Sequence, residues 1–297
     1  MKILESDISV IDLDSEKYPQ QLKALKIKVK KLFYYGSIEN LEIENNISIV
    51  GTRKASSYGK YLTGKLVEFL SQYEVNIVSG LAVGIDSMAH ETAIKSGLRT
   101  IAVIGSGLLA LENYQRVQKE TMTKICGNPE NLIISEFEPM VNATKWTFPA
   151  RNRIIAALSQ ATIVIEASEG SGSLITALDA IALGRPVFSF PGEIWKESFS
   201  GSNKLLQDDM AIPLYEASDI INYLDLKKKN TNLSETQPLN LSEIEKNILD
   251  NLKLEPISFD ELLSKTRSTE SETLTQLSLL ELKGFIKKYP GSRFARN

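Results

Sequence analysis

The chain has 297 residues, 42% of them apolar, with 37 acidic against 34 basic side chains and a formal net charge of −3. That balance belongs to an ordinary globular protein and excludes a general polyanion sponge, so any nucleic-acid site has to be a local groove. The only cysteine, Cys126, and the only histidine, His90, exclude a Cys/His zinc cage and an intrachain disulfide, and leave Cys–His catalysis only if those two side chains meet.

The opening Met1–Asp7 lacks the charged-then-apolar layout of a signal peptide, and no run approaches the roughly 20 apolar residues of a membrane span. A cytoplasmic location with no membrane partner is the expectation. Residues 1–46 read as a short lead-in whose Lys26, Lys28, Lys30 and Lys31 form a solvated face. Residues 47–226 then alternate short β-rich apolar runs with amphipathic helical stretches. The runs are Ile47–Val50, Asn76–Ser79, Thr100–Ile104, Leu132–Ser135, Thr162–Glu166 and Pro186–Phe190. Near-continuous hydrophobicity marks strands buried on both faces, hence a parallel sheet built from right-handed βαβ units. The fold class expected is α/β, an extended Rossmann-like, doubly wound, mostly parallel sheet.

Residues 227–238 are polar and aperiodic and read as a linker. Residues 239–297 give three helical patterns, Ser242–Leu252, Ser258–Ser264 and Ser268–Lys283. Gly284 stops the last of them, and a hairpin over Phe285–Arg296 completes the outline of a small winged helix. Its third helix carries Glu270, Glu272 and Glu281 against Lys283. Those acids oppose phosphate, so a protein-contact or regulatory role is expected, while Arg293 and Arg296 keep duplex binding as the alternative.

Ligands on open α/β sheets bind beyond the carboxyl ends of the strands. Here those ends run into Gly51-Thr52-Arg53, Ser79-Gly80-Leu81-Ala82, Gly105-Ser106-Gly107, Gly170-Ser171-Gly172-Ser173 and Pro191-Gly192. Glycine lets backbone N–H groups approach phosphate, and a following helix start adds its positive dipole end. The loop after the third strand stops short of GxGxxG because Ala110 holds the last glycine position, and GxxxxGK[ST] is absent, so nicotinamide and Walker-type chemistry are disfavoured. Trp146 and Phe148 precede Arg151-Asn152-Arg153. An aromatic face for a base beside planar forks for phosphate points to single-stranded nucleic acid. His90 reads as a packing or hydrogen-bonding residue, Asp86 as capping or hydrogen-bonding the helix after Gly84, Cys126 as inert, and Glu166 and Glu169 as turned away or paired.

Taken together, the motifs resemble the DNA-processing protein A family (DprA, also called Smf). The matching segments include Gly51-Thr52-Arg53, Ser79-Gly80-Leu81-Ala82 with Gly84-Ile85-Asp86, Phe148-Pro149 with Arg151-Asn152-Arg153-Ile154-Ile155-Ala156, Ser171-Gly172-Ser173-Leu174-Ile175-Thr176-Ala177, Pro191-Gly192 and Gly201-Ser202-Asn203. The resemblance implies a protein without catalytic residues or cofactor that binds single-stranded DNA, protects incoming strands and delivers them to RecA recombinase during natural transformation, working as a homodimer. By motif position it implies that Gly51, Arg53, Ser79, Gly80, Lys145, Phe148, Arg151, Asn152, Arg153, Ser171, Gly172 and Ser173 contact the strand, with Phe148 stacking on a base. Two departures stand out. Val83 occupies a loop position where the family usually has Arg, and Glu112-Asn113-Tyr114-Gln115 replaces the usual Tyr-Pro-x-x-Asn. The alternatives are a phosphoribohydrolase-like nucleotide-processing enzyme, against which the loop 169–176 lacks the paired glycines and catalytic Glu, and a nucleotide-sensing module.

Overall fold

The structure, a computed structural model, describes residues 3–41, 45–229, 242–252, 256–266, 268–282 and 285–296. The chain divides into two compact units, Met1–Lys229 and Asn230–Asn297.

In the first unit the strands are β1 (Ser9–Asp12), β2 (Lys31–Gly36), β3 (Asn46–Val50), β4 (Asn76–Ser79), β5 (Thr100–Val103), β6 (Leu132–Ser135), β7 (Ala161–Val164), β8 (Val187–Ser189) and β9 (Ile212–Pro213). The helices are α1 (Ser57–Leu70), α2 (Ile85–Lys95), α3 (Arg116–Cys126), α4 (Thr147–Leu158), α5 (Gly172–Ala182), α6 (Ser200–Gln207) and α7 (Ser218–Leu224). Among the described residues they build a nine-stranded sheet in the order β1-β2-β6-β5-β4-β3-β7-β8-β9. From β6 to β9 every pairing is parallel.

Alternation explains the continuous apolar runs. Ile47, Ile49, Ile77 and Ile163 point to the face covered by Leu66, Val67 and Leu70 of α1 and Ile85, Ala89 and Ala93 of α2. Val50, Val78, Ile101, Val103 and Val164 point to the opposite face, against Ile154 and Ile155 of α4 and Ala177 and Ala180 of α5. Both faces are covered, and the polar side chains the strands carry there, such as Ser48, Thr162 and Ser79, are buried and hydrogen-bonded. Each fully buried Ile or Val contributes about 1.5–3 kcal/mol of transfer free energy.

Residues 1–46 are not a lead-in outside the sheet. β1 pairs antiparallel with β2, and β2 pairs antiparallel with β6, so both extend the edge. β2 opens on Lys31 and ends on exposed Gly36, with only Leu32 and Phe33 deeply buried. An edge strand of that pattern lacks the long apolar run that marks the central ones. The linker expected at 227–238 lies mostly outside the described residues. Its first part is structured, since Glu74 N donates to Lys227 O and Lys229 N donates to Gln72 O.

The second unit contains α8 (Glu243–Asn251), β10 (Ile257–Ser258), α9 (Phe259–Thr266), α10 (Glu270–Leu282), β11 (Ile286–Tyr289) and β12 (Arg293–Arg296). Ser242 caps α8 by accepting from Glu245 N, and the Glu245 carboxylate in turn accepts from Ser242 N. Ile248, Leu262, Leu277, Leu280, Ile286 and Phe294 form its core. The strand order β10-β12-β11 adds one short strand to the expected hairpin. Lys283 and Gly284 lie outside the described residues.

Candidate nucleic-acid interface

The strand order reverses at β3. The chain proceeds from β3 to β4, β5 and β6 on one side, then returns to place β7 on the other. A crevice opens at such a switch point because the two flanking loops diverge. Here the loop after β3 and the loop 168–173 after β7 line a cleft of about 330 Å³. Thr52 N donates to Glu166 O at 2.7 Å and closes the base of the β3 loop against β7. Gly51 is required there, since a Cβ would fall 2.6 Å from Ile85 Cγ1.

A second cleft of about 250 Å³ adjoins the first, lined by Gly80, Val83, Asn113, Tyr114 and Gln118. Arg53, Ala82 and Phe148 line both. The Arg53 guanidinium lies 4.9 Å from the centroid of the Phe148 ring, so this pair is the partition between the clefts.

Several expected residues meet at these clefts: Gly51 and Arg53, Gly80 in the second cleft, Phe148 on α4, and Ser171, Gly172 and Ser173 at the start of α5. Ser171 caps α5 by accepting from Ser173 N, and the two hydroxyls lie 2.8 Å apart. Lys145 is exposed, with its ammonium 5.0 Å from the Trp146 ring centroid. Asn152 lines the first cleft, but its amide donates to Gly172 O at 3.0 Å and so props the glycine loop from behind.

Three expected contacts are corrected. Ser79 is fully buried and its hydroxyl donates to Ile49 O at 2.6 Å, a bond between neighbouring strands. Arg151 is only 4% exposed, and its guanidinium donates to Gly80 O and Val103 O. It lines the inner wall of the first cleft, where these bonds tie the carboxyl ends of β4 and β5 to α4. Arg153 faces away, donating to Ile27 O at 3.0 Å and pairing with Glu136. Residues two apart on a helix point in different directions, and that separation divides the Arg-Asn-Arg run between a buried brace and an edge clamp.

The electrostatics follow from burial. Asp86 accepts from Gly80 N at 3.1 Å, and burial pushes its carboxyl up to about 6 against the opposing pull of Arg151. It braces the β4 loop from α2. His90 is buried against Thr100 Oγ1 at 2.7 Å, and burial lowers it to about 3, so it is neutral at pH 7. Burial likewise raises the Cys126 thiol to about 11, as suits an inert packing residue. Glu166 turns inward and accepts from Ser56 N and Ser56 Oγ, both at 2.9 Å. Glu169 instead stands exposed on the rim of the first cleft.

Sequence reasoning did not assign a role to Tyr114 and Gln118. Tyr114 Oη accepts from Ser106 Oγ at 3.0 Å, and Gln118 donates to Leu81 O at 2.8 Å. Leu81 sits at φ +56°, a left-handed conformation held by its complete burial. These bonds secure the loop in which the family's usual motif is replaced. Val83 leaves an apolar wall in the second cleft.

A model of the family described as DNA recombination-mediator protein A matches residues 9–225. The chain belongs to that family. A model of the DprA winged helix domain matches residues 233–292. DNA processing protein DprA of Bacillus subtilis is 37% identical over 232 residues, covering 78% of this chain and 75% of that protein. Protein Smf of a Synechocystis strain is 32% identical over 95% of this chain and 79% of its own length. Among solved structures, DprA from Streptococcus pneumoniae aligns with a TM-score of 0.66 at 36% identity, covering 72% of this chain and 74% of that one. DNA processing protein A from Helicobacter pylori, solved for its single-stranded DNA binding mode, aligns with a TM-score of 0.66 at 29% identity over 74% of this chain and 97% of that one. Family membership places this chain in DNA processing during recombination. Among the described residues no helix is long and apolar enough to cross a membrane.

Proposed function

We propose that this chain binds single-stranded DNA in the paired clefts without catalysing a reaction on it, protects incoming strands during natural transformation and hands them to RecA recombinase. The observation that carries the reading is the Arg53–Phe148 partition: a cation and an aromatic face at the mouth of two clefts, beside a glycine loop at a helix start. Each nucleotide brings one phosphate and one base face, and this wall offers a partner for each. The strand-binding structure of the Helicobacter pylori relative supports the same class of ligand.

Self-association fits α5, where Ile175, Leu178 and Ile181 form an exposed apolar stripe at three-residue spacing. We assign that stripe to a homodimer. The winged-helix unit keeps Glu270, Glu272 and Glu281 exposed on α10, which favours a protein contact for that helix.

An enzyme reading draws on one observation, the raised Asp86 carboxyl in the wall of the first cleft. Its bond to Gly80 N gives that carboxyl a structural task instead. Incubation with nucleoside monophosphates separates the two, and release of free base would support the enzyme. For the recombinase step, RecA filament growth is followed on strands precoated with single-strand binding protein. Acceleration by this chain is the expected result, and an unchanged lag would refute delivery to RecA.

A further inference from the structure

Trp146 has 74% of its surface exposed at the N-cap of α4. Its backbone carbonyl accepts from Ala150 N, and its ring is accompanied by the Lys145 ammonium at 5.0 Å. A large indole held in water is a free-energy cost that a helix cap does not require, since Ser, Asp or Asn caps better. Two residues on, Phe148 carries the Arg53 guanidinium at 4.9 Å. The start of α4 therefore presents the same couple twice: one aromatic face with one cation beside it.

That couple matches a nucleotide, which has one π-face and one negative phosphate. Residues two apart at a helix start project to different sides, so the couples cannot serve one base from both faces. They suit consecutive bases of a strand that crosses the helix N-terminus, whose dipole end favours the linking phosphate. Resting on the single-strand reading of the clefts, we propose that Trp146 is a second base-stacking platform, with Lys145 taking the adjacent phosphate. The strand thus continues past Phe148, beyond the clefts, onto the exposed end of α4.

The chain offers a clean optical test because it holds only two tryptophans, Trp146 and Trp195. In the full chain carrying Trp195→Phe, unlabelled oligo-dT should quench the remaining tryptophan emission, saturating at the concentration where a labelled oligo-dT saturates by anisotropy. Trp146→Ala should weaken oligo-dT binding about 5- to 150-fold, and Trp146→Phe should restore most of the loss. Circular dichroism melts of these variants should match wild type, since the indole is exposed. Oligo-dT binding that depends on Phe148 while Trp146 emission stays constant and Trp146→Ala binds normally would overturn the proposal and leave the cleft reading intact. Emission that shifts with protein concentration in the absence of DNA, and no further on adding it, would overturn it in favour of a protein contact. Loss of all oligo-dT binding in wild type would instead refute the reading on which it rests.

Discussion

The Arg53 guanidinium lies over the Phe148 ring at 4.9 Å, joining the loop after β3 to the first turn of α4 across the mouth of two clefts. The contact ties the loop after β3 to α4, and it offers charge and a ring face at one point. The planar guanidinium fork matches phosphate oxygens in geometry.

Phe148→Ala should weaken oligo-dT binding by about 1–3 kcal/mol with an unchanged salt slope, because stacking releases no counterion. Arg53→Ala should do the reverse to the slope, lowering the single-strand log–log dependence by about 0.7 for the lost phosphate contact. Anisotropy titrations over a range of salt concentrations distinguish them.

Glu169 stands exposed on the rim of the first cleft, where a carboxylate repels the backbone. Glu169→Gln should tighten single-strand binding a few-fold at low salt. The gain should fade as salt shortens the screening length towards about 8 Å at physiological ionic strength. A gain independent of salt would contradict a charge effect.

Arg153 clamps Glu136 and Ile27 O away from the clefts. Arg153→Ala should cost about 1.5–3 kcal/mol of unfolding free energy, the usual worth of hydrogen bonds to a charged group, and leave the salt slope of strand binding unchanged. Arg151→Ala should destabilise more, since it also leaves the Gly80 and Val103 carbonyls without their buried donor. A reduced salt slope in folded Arg153→Ala would return that arginine to the interface.

Burial holds the Asp86 carboxyl at about 6 against an ordinary 3.8. The folded chain then binds this proton more tightly than the unfolded chain, so stability falls as pH rises between about 4 and 6. Asp86→Asn keeps an oxygen for Gly80 N and removes that loss. Its stability relative to wild type, from urea unfolding, should therefore rise over this window and level off above it. A difference that is flat with pH would contradict the assignment.

Leu178→Glu places a charge in the exposed apolar stripe of α5. Sedimentation should show a dimer for wild type and a monomer for Leu178→Glu. A monomeric wild type would remove the stripe as an interface between copies.

The central strands were legible from their short Ile- and Val-rich runs, even though β3 and β4 carry buried Asn46, Ser48, Asn76 and Ser79 among them. β1 and β2 were not, since an exposed edge strand reads as a polar lead-in. Gly105-Ser106-Gly107 and Pro191-Gly192 line neither cleft, whereas Arg53 and the loops 51–53, 79–82 and 170–173 were legible from their place after strands. The roles of Arg151, Arg153 and Ser79 were not, because a run of residue types gives no direction to side chains that one helix or strand turns inward or aside. Trp146 was visible as an aromatic neighbour, but only its exposure separates it from a core residue.

The most direct test of the account is fluorescence anisotropy of a labelled oligo-dT strand and its duplex at two salt concentrations, with wild type and Arg53→Ala. Tight, salt-sensitive binding to the strand over the duplex, weakened in Arg53→Ala, is the predicted result. Equal binding to both forms, or strand binding that Arg53→Ala leaves unchanged, would contradict the placement of single-stranded DNA at the Arg53–Phe148 wall.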